Sequence, residues 1–156
     1  MHKLDSLIPP PAALLITLVI MFFIASFDDA RILRMDRFVV NTVIATGLIV
    51  AGITLGILAI KQLKREHTTI NPLRPNTTSS LVTSGIFKFT RNPMYLGMVL
   101  VTLGAATFYG SAWCLIIFVA FIVFIRRFQI DPEERAMLSL FGKKFEDYKA
   151  NTRRWI

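Results

Sequence analysis

The fold is decided by the stretch NPMYLGMVLVTLGAATFYGSAWCLIIFVAFIVFI, residues 92–125, which contains no charged side chain. As one helix, this stretch would be about 51 Å long at about 1.5 Å per residue, whereas the hydrocarbon core of a bilayer is about 30 Å thick. It must therefore turn back, and Tyr109-Gly110-Ser111 in its middle supplies a turn signal. We expect a helical hairpin with arms from Pro93 to about Phe108 and from Ala112 to about Ile130.

Two further uncharged runs, residues 7–27 and 38–60, precede the hairpin. Each exceeds the roughly 18 residues that suggest a membrane span. The composition agrees, because 54% of the residues are hydrophobic and 18% are charged, whereas about a quarter are charged in soluble domains. We therefore predict an all-α integral membrane helical bundle with four transmembrane helices, followed by a cytoplasmic C-terminal helix.

The basic residues are unevenly distributed along this predicted topology. Of the 18 Lys and Arg residues, Arg31, Arg34 and Arg37 fall on one side of the membrane, and the remaining 15 fall on the side that holds both termini and the 61–91 loop. By the positive-inside rule, both termini are expected on the cytoplasmic side. The expected location is a bacterial inner membrane. Because these charges flank spans, the net charge of +8 favours anionic lipid headgroups over nucleic acid as partners. The oligomeric state stays open.

The chain is predicted to form a single domain, residues 1–156, with two spans in 1–60 and a loop, the hairpin and a tail helix in 61–156. The tail helix is predicted to start at Asp131-Pro132-Glu133-Glu134, with Asp131 as N-cap, Pro132 at the first helical position and Glu134 as capping-box glutamate. Apolar residues then recur at helical spacing on both sides of Gly142, which would bend or break the helix: Leu138, Phe141, Phe145 and Tyr148.

Several motifs occur in a fixed order around the hairpin: GIFKFTRNPMYLG at residues 85–97, Glu133-Glu134, Phe141-Gly142, Tyr148 and Arg154-Trp155. Together they resemble the isoprenylcysteine carboxyl methyltransferase superfamily, which also includes the phospholipid N-methyltransferases. The resemblance covers residues 69–156. It implies a membrane enzyme that binds S-adenosylmethionine at the cytoplasmic face and methylates a membrane-embedded or lipophilic acceptor. No Rossmann fold is expected, since the chain lacks a glycine-rich strand-to-helix fingerprint.

The resemblance also assigns roles to charged and aromatic residues. Glu133 and Glu134 would accept hydrogen bonds from the cofactor's ribose hydroxyls or ammonium group, the alternative being helix capping. Arg91 would hold the cofactor's carboxylate or an anionic group of the acceptor, or else it is an interfacial arginine. Tyr95 would act at the reaction centre, or else it marks the membrane interface. Gly97 either allows close approach of the cofactor or packs helix against helix.

The full set of expected site residues follows from this interpretation. A metal is not expected, since methyl transfer from a sulfonium depends on positioning in a dry site. His67 is either a general base or a solvated loop residue. Asn92 stands where prenylcysteine enzymes often carry a histidine. The expected catalytic residues are Arg91, Asn92 and Tyr95, and the expected cofactor-binding residues are Leu81, Val82, Gly85, Arg91, Tyr95, Gly97, Glu133, Glu134 and Tyr148.

Two other function classes stay open. One is an NADPH-dependent, sterol-reductase-like membrane enzyme, whose C-terminal part resembles the same superfamily; the short chain and the Glu133-Glu134 pair argue against it. The other is a non-catalytic membrane scaffold or small transporter. A transporter usually carries ionisable residues at mid-membrane, and the uncharged runs of this chain hold none.

Overall fold

The computed structural model describes residues 8–28, 38–66 and 80–156, and these residues are helical without any β-strand. The α-helices are α1 (Pro10–Phe27), α2 (Phe38–Arg65), α3 (Pro93–Tyr109), α4 (Ala112–Ile125), α5 (Asp131–Phe141) and α6 (Lys143–Asn151). A 3₁₀ helix (Gly85–Lys88) precedes α3, and a π-helical segment (Arg126–Ile130) joins α4 to α5. The predicted all-α architecture is confirmed for this part of the chain.

Three helical stretches of the described chain are long and apolar enough to cross a membrane: Pro10–Phe27, Phe38–Arg65 and Ala112–Phe141. The remaining apolar helix, α3, has 17 residues. Large apolar side chains cover the outside of the bundle, among them Leu15, Val43 and Ile116. An exposed apolar surface of this kind suits a lipid environment and identifies an integral membrane protein.

The second helix extends beyond the uncharged run that predicts it. The run ends at Ile60, and α2 continues to Arg65. Lysine, leucine and arginine are good helix formers, and the cations Lys64 and Arg65 in the last turn interact favourably with the negative end of the helix dipole. The loop before the hairpin therefore begins after α2's basic end rather than at Lys61.

The hairpin is confirmed with its predicted turn. Proline occupies the first position of α3, where its missing N–H leaves no hydrogen bond unmade. The helix ends at Gly110, which has a φ of 63° and donates its N–H to the carbonyl of Ala106 at 3.0 Å. This left-handed conformation favours glycine, and it reverses the chain into α4.

Helix α5 begins at Asp131 as predicted, but the predicted N-cap is wrong, because the chain stays helical from Ala112 to Phe141. An N-cap residue has extended backbone angles, whereas Asp131 has φ −63° and ψ −41° and donates its N–H to the carbonyl of Arg126, five residues earlier. Pro132 follows at once and has no N–H to continue the ladder. The wide π-helical turn accommodates this proline inside a continuous helix. Glu134 is consequently no capping-box residue.

Helices α2 and α3 pack closely through small residues. A Cβ atom on Gly97 would lie 2.5 Å from the carbonyl oxygen of Gly52, and one on Gly104 would lie 2.9 Å from that of Ala45. Such small-residue contacts let two backbones approach inside a membrane, where association depends on packing. Helix α1 packs on the other side, against α3 and α4. The amino-terminal end of α3 is thus fixed between α1 and α2.

Candidate active site

The candidate site lies where the start of α3 meets α5 and the chain that follows α6, and Arg91 is its best-connected residue. One nitrogen of its guanidinium, Nη2, pairs with Glu134 Oε1 at 3.1 Å. The other, Nη1, donates to the carbonyls of Lys149 at 3.0 Å and Thr152 at 2.5 Å. The side chain is 10% exposed. Its Nε is buried and has no hydrogen-bond partner within the described residues. Arg91 therefore points into the protein and keeps one unused donor.

Glu134 is bound by two arginines. Besides Arg91, Arg154 donates from Nε to Oε1 at 3.2 Å and from Nη2 to Oε2 at 2.6 Å. Arg154 also pairs with Asp131 at 3.1 Å. Burial disfavours the charged form of Arg154, but its hydrogen bonds and ion pairs with Glu134 and Asp131 raise its pKa above the ordinary value. The closing arginine of the sequence motif thus completes an ion-pair network in the site.

Tyr95 and Glu133, predicted separately, are in direct contact. The phenol hydroxyl donates to Glu133 Oε2 at 2.9 Å. Tyr95 is 6% exposed, so its side chain lies inside the bundle. It belongs to a buried apolar group that we call the α1 cluster, consisting of Ala13, Tyr95, Phe121, Ile125 and Ile130.

Asn92 positions the end of the chain. Its Nδ2 donates to the carbonyl of Arg154 at 3.1 Å, and Thr90 Oγ1 donates to the same carbonyl at 3.2 Å. Between them, the backbone N–H of Arg91 donates to the carbonyl of Arg153 at 3.0 Å. Residues 90–92 therefore bind the C-terminal segment directly, and a catalytic role of Asn92 stays a prediction.

A second buried apolar group lies on the other side of α3, and we call it the α2 cluster. The Tyr148 hydroxyl donates to the carbonyl of Phe87 at 2.6 Å. Burial raises the pKa of Tyr148 to about 12, against the opposing charge of the nearby Arg91. The cluster consists of Ala59, Val82, Phe87, Phe145 and Tyr148, with Leu81 packed against it. Three predicted cofactor-binding residues, Leu81, Val82 and Tyr148, are thus brought together in one cluster, and Tyr148 is close to Arg91.

The local structure requires glycine at position 85. Its φ is +61°, and a Cβ atom there would lie 2.7 Å from Gln62 Oε1. Gln62 Nε2 donates to Ser84 Oγ at 2.7 Å, and Ser84 Oγ donates to Glu66 Oε1 at 3.0 Å. This polar group joins the chain before α3 to the end of α2. Binding of cofactor by Gly85 stays a prediction.

Gly97 packs against α2, so we expect Gly97→Ala to destabilise the protein by about 1–3 kcal/mol, the usual range for overpacking. The added methyl would meet the Gly52 backbone, which cannot rotate away. Denaturant unfolding in detergent micelles measures the effect. Gly47→Ala is the matched control, because a Cβ atom there has nothing within 4 Å, and alanine should be neutral or stabilising by up to about 1 kcal/mol. Equal stability of the two variants, with cofactor binding lost only in Gly97→Ala, would assign Gly97 to the cofactor instead.

Some site features were missed from sequence, and one lies outside the described residues. The backbone carbonyls of Lys149 and Thr152 bind Arg91, but backbone groups leave no sequence signature. Gln129 is buried next to the site; its signal was an amide just after the uncharged run. The candidate base His67 lies outside the described residues.

Comparison with known proteins identifies the family. Residues 40–144, more than half of the chain, match the phospholipid methyltransferase family. The chain belongs to this family. The match contains the Arg91 to Gly97 element and the Glu133-Glu134 pair, and it ends before Tyr148 and Arg154. Together with the apolar helices, the match makes the chain an integral membrane member of this family. Membership favours a methyltransferase over the reductase and the scaffold.

Individual relatives agree with the family. The chain is 27% identical over 123 residues to the protein-S-isoprenylcysteine O-methyltransferase of Schizosaccharomyces pombe. The aligned region covers 75% of this chain and 52% of that protein. The chain thus spans about half the length of that relative. It is 35% identical over 63 residues to an uncharacterized protein of Haemophilus influenzae. That alignment covers 40% of this chain and 100% of that protein. No solved structure matches.

Proposed function

We propose that this membrane methyltransferase transfers a methyl group from S-adenosylmethionine to a membrane-embedded or lipophilic acceptor at the cytoplasmic face. S-adenosylmethionine supplies the methyl group on a sulfonium, and its methionyl part carries a carboxylate and an ammonium group. The observation that carries the proposal is the Arg91 Nε, a buried donor without an acceptor in the described part of the chain. An unmet buried donor costs about 1–3 kcal/mol or more for a charged group. A carboxylate at Arg91 would remove this penalty.

The two glutamates supply acceptors for the cofactor's hydroxyl or ammonium groups. A carboxylate can accept about four hydrogen bonds, and Glu133 accepts one from the Tyr95 hydroxyl. Glu134 already binds Arg91 and Arg154, which fix its orientation. Glu133 therefore has the greater capacity for a further donor, and Glu134 mainly orients Arg91.

The α2 cluster offers an apolar wall next to these charged groups. Leu81 and Val82 pack in one cluster with Tyr148, which is close to Arg91, and the three side chains would cover the cofactor's aromatic base. The Tyr148 hydroxyl is committed to the Phe87 carbonyl, so Tyr148 would contribute its ring. Tyr95 and Asn92 would position the reacting groups, and exclusion of water by the two apolar clusters favours the displacement.

We also propose four membrane crossings, with both termini on the cytoplasmic side of a bacterial inner membrane. Seventeen residues of α3 span about 26 Å at about 1.5 Å per residue, which is close to the thickness of the hydrocarbon core. The tight turn at Gly110 pairs α3 with the longer helix that follows, so α3 is the natural return crossing. The excess of basic residues on the side of the tail supports the orientation.

Binding of the cofactor tests the proposal. Purified protein in lipid nanodiscs should bind S-adenosylmethionine and its demethylated product in calorimetry, and NADPH should give no heat of binding. In sealed vesicles, added S-adenosylmethionine should be used by inside-out vesicles and ignored by right-side-out vesicles until they are permeabilised. Binding of NADPH without a response to either sulfur compound would refute the methyltransferase assignment, and use by right-side-out vesicles would reverse the orientation.

A further inference from the structure

Gln129 is a buried polar residue that the proposed chemistry does not use. Its side chain is 1% exposed. The amide nitrogen Nε2 donates to the carbonyl of Ile8 at 2.8 Å, while the amide oxygen Oε1 is buried and has no partner among residues 8–28, 38–66 and 80–156. Leaving such an acceptor unsatisfied costs about 1–3 kcal/mol, and each unsatisfied buried group in a native protein requires an explanation, of which a functional role is one.

The π-helical segment gives Gln129 its inward position. Along α4 the buried residues Phe121 and Ile125 are four apart, but next come two adjacent buried residues, Gln129 and Ile130. The wider π turn allows both to face the core. Segments of this kind inside α-helices are frequently found at functional sites.

Gln129 lies one turn from the candidate active site. It precedes Glu133 by four residues, so both are on one face of the helix, about 6 Å apart along its axis. Gln129 is on the side of the apolar helix α4. Its partner Ile8 packs against the α1 cluster, which contains Tyr95. The unsatisfied oxygen is therefore a hydrogen-bond acceptor beside an apolar cluster, on the α4 side of Glu133.

We propose that Gln129 determines the specificity for the methyl acceptor, by accepting a hydrogen bond from an N–H or O–H group near the atom that is methylated. The contact is one of recognition and forms no covalent bond. It rests on the proposed function and places the acceptor on the α1 side of α3, opposite the α2 cluster.

The surrounding charges favour an amine or a hydroxyl acceptor over a free carboxylate. The Gln129 amide oxygen and the Glu133 carboxylate both accept hydrogen bonds and would oppose a second carboxylate. The cations next to them are engaged, since Arg91 and Arg154 are both ion-paired with Glu134 and the remaining Arg91 donor is assigned to the cofactor's carboxylate. A lipophilic molecule with an amine or hydroxyl headgroup therefore matches these partners, whereas a lipid carboxylic acid does not.

The test uses Gln129→Met, which keeps the length of the side chain and removes the amide. Phosphatidylcholine vesicles containing phosphatidylethanolamine, phosphatidylglycerol or oleic acid present an amine, a hydroxyl or a carboxylate, and labelled methyl transfer is followed in each. We expect transfer to the amine or hydroxyl lipid. Gln129→Met should lower kcat/KM for it at least about tenfold, the effect of roughly 1.4 kcal/mol, mainly through KM, with unchanged affinity for S-adenosylmethionine.

Phe128→Leu serves as the control, because it alters the same π-helical segment without touching the amide. Equal kinetics for Gln129→Met and the parent, or equal losses in Gln129→Met and Phe128→Leu, would overturn the role of Gln129. Transfer to oleic acid alone, or to none of the three lipids by protein that binds S-adenosylmethionine, would overturn the acceptor class. Absence of S-adenosylmethionine binding would instead refute the proposed function itself, and this inference with it.

Discussion

Replacing Glu134 by glutamine should lower the free energy of unfolding by about 3 kcal/mol, because it removes the negative partner of a buried ion pair. The side chains of Glu134 and Arg91 are 12% and 10% exposed, and Arg91 would keep its charge in a site with little water. Breaking one side of a buried pair typically costs about 3–5 kcal/mol, and glutamine retains one acceptor oxygen, which places the effect near the lower limit. Denaturant unfolding in detergent micelles, followed by circular dichroism, measures it.

Two further variants test whether the loss of stability in Glu134→Gln comes from the unpaired charge of Arg91. Arg154→Gln removes the more exposed partner, whose side chain is 27% exposed, and should cost about 1 kcal/mol, near the upper end for surface pairs. The double variant Arg91→Met, Glu134→Met should recover part of the loss, because it leaves no unpaired charge. An unfolding curve for Glu134→Gln that overlies the parent's would show that the pair contributes nothing to stability.

The hairpin could be predicted from the sequence because its determinants are local. An uncharged run too long for one crossing has to turn, and Gly110 supplies the left-handed conformation that the turn needs. Proline at the first position of α3 marks the other end. None of these inferences requires knowledge of a distant contact.

The N-cap role of Asp131 was predicted wrongly because the same residues fit two local structures. Asp131-Pro132 reads as an N-cap followed by a first helical position, but it also fits a π-helical turn that admits a proline. The preceding residues decide which of the two structures forms. Because α4 is already helical, the helix continues through Asp131. The carboxylate of Asp131 then binds Arg154, 23 positions later in the chain, instead of capping.

The site was predictable only in part for a similar reason. The motif residues Arg91 and Tyr95 were identified together with the two glutamates, but which glutamate contacts which partner depends on the rotation of α5 about its axis. The π-helical segment sets that rotation, and it also turns Gln129 inward. Hydrophobic periodicity does not encode an inserted π turn, so neither the Tyr95–Glu133 contact nor the burial of Gln129 followed from the sequence.

Glu133→Gln should weaken the binding of S-adenosylmethionine by about 10- to 150-fold, corresponding to about 1.5–3 kcal/mol for one lost hydrogen bond to a charged group. Glutamine keeps an oxygen that accepts the Tyr95 hydroxyl bond of 2.9 Å, so the free energy of unfolding should change by less than about 1 kcal/mol. The pattern is the reverse of that for Glu134→Gln, in which stability changes first. Calorimetry in lipid nanodiscs gives the affinity, and denaturant unfolding gives the stability.

Tyr95→Phe is the matched control for Glu133→Gln, because it removes the other half of the same hydrogen bond and leaves the Glu133 carboxyl group in place. If Glu133 binds the cofactor directly and Tyr95 only orients it, Tyr95→Phe should lose less affinity, about three- to tenfold, on the scale of about 0.5–1.5 kcal/mol for an ordinary hydrogen bond. Equal losses in the two variants would mean that the pair acts as a unit through the hydroxyl. Parent-like affinity in both would remove Glu133 and Tyr95 from the cofactor site and leave Arg91, with its unused Nε, as the residue on which binding depends.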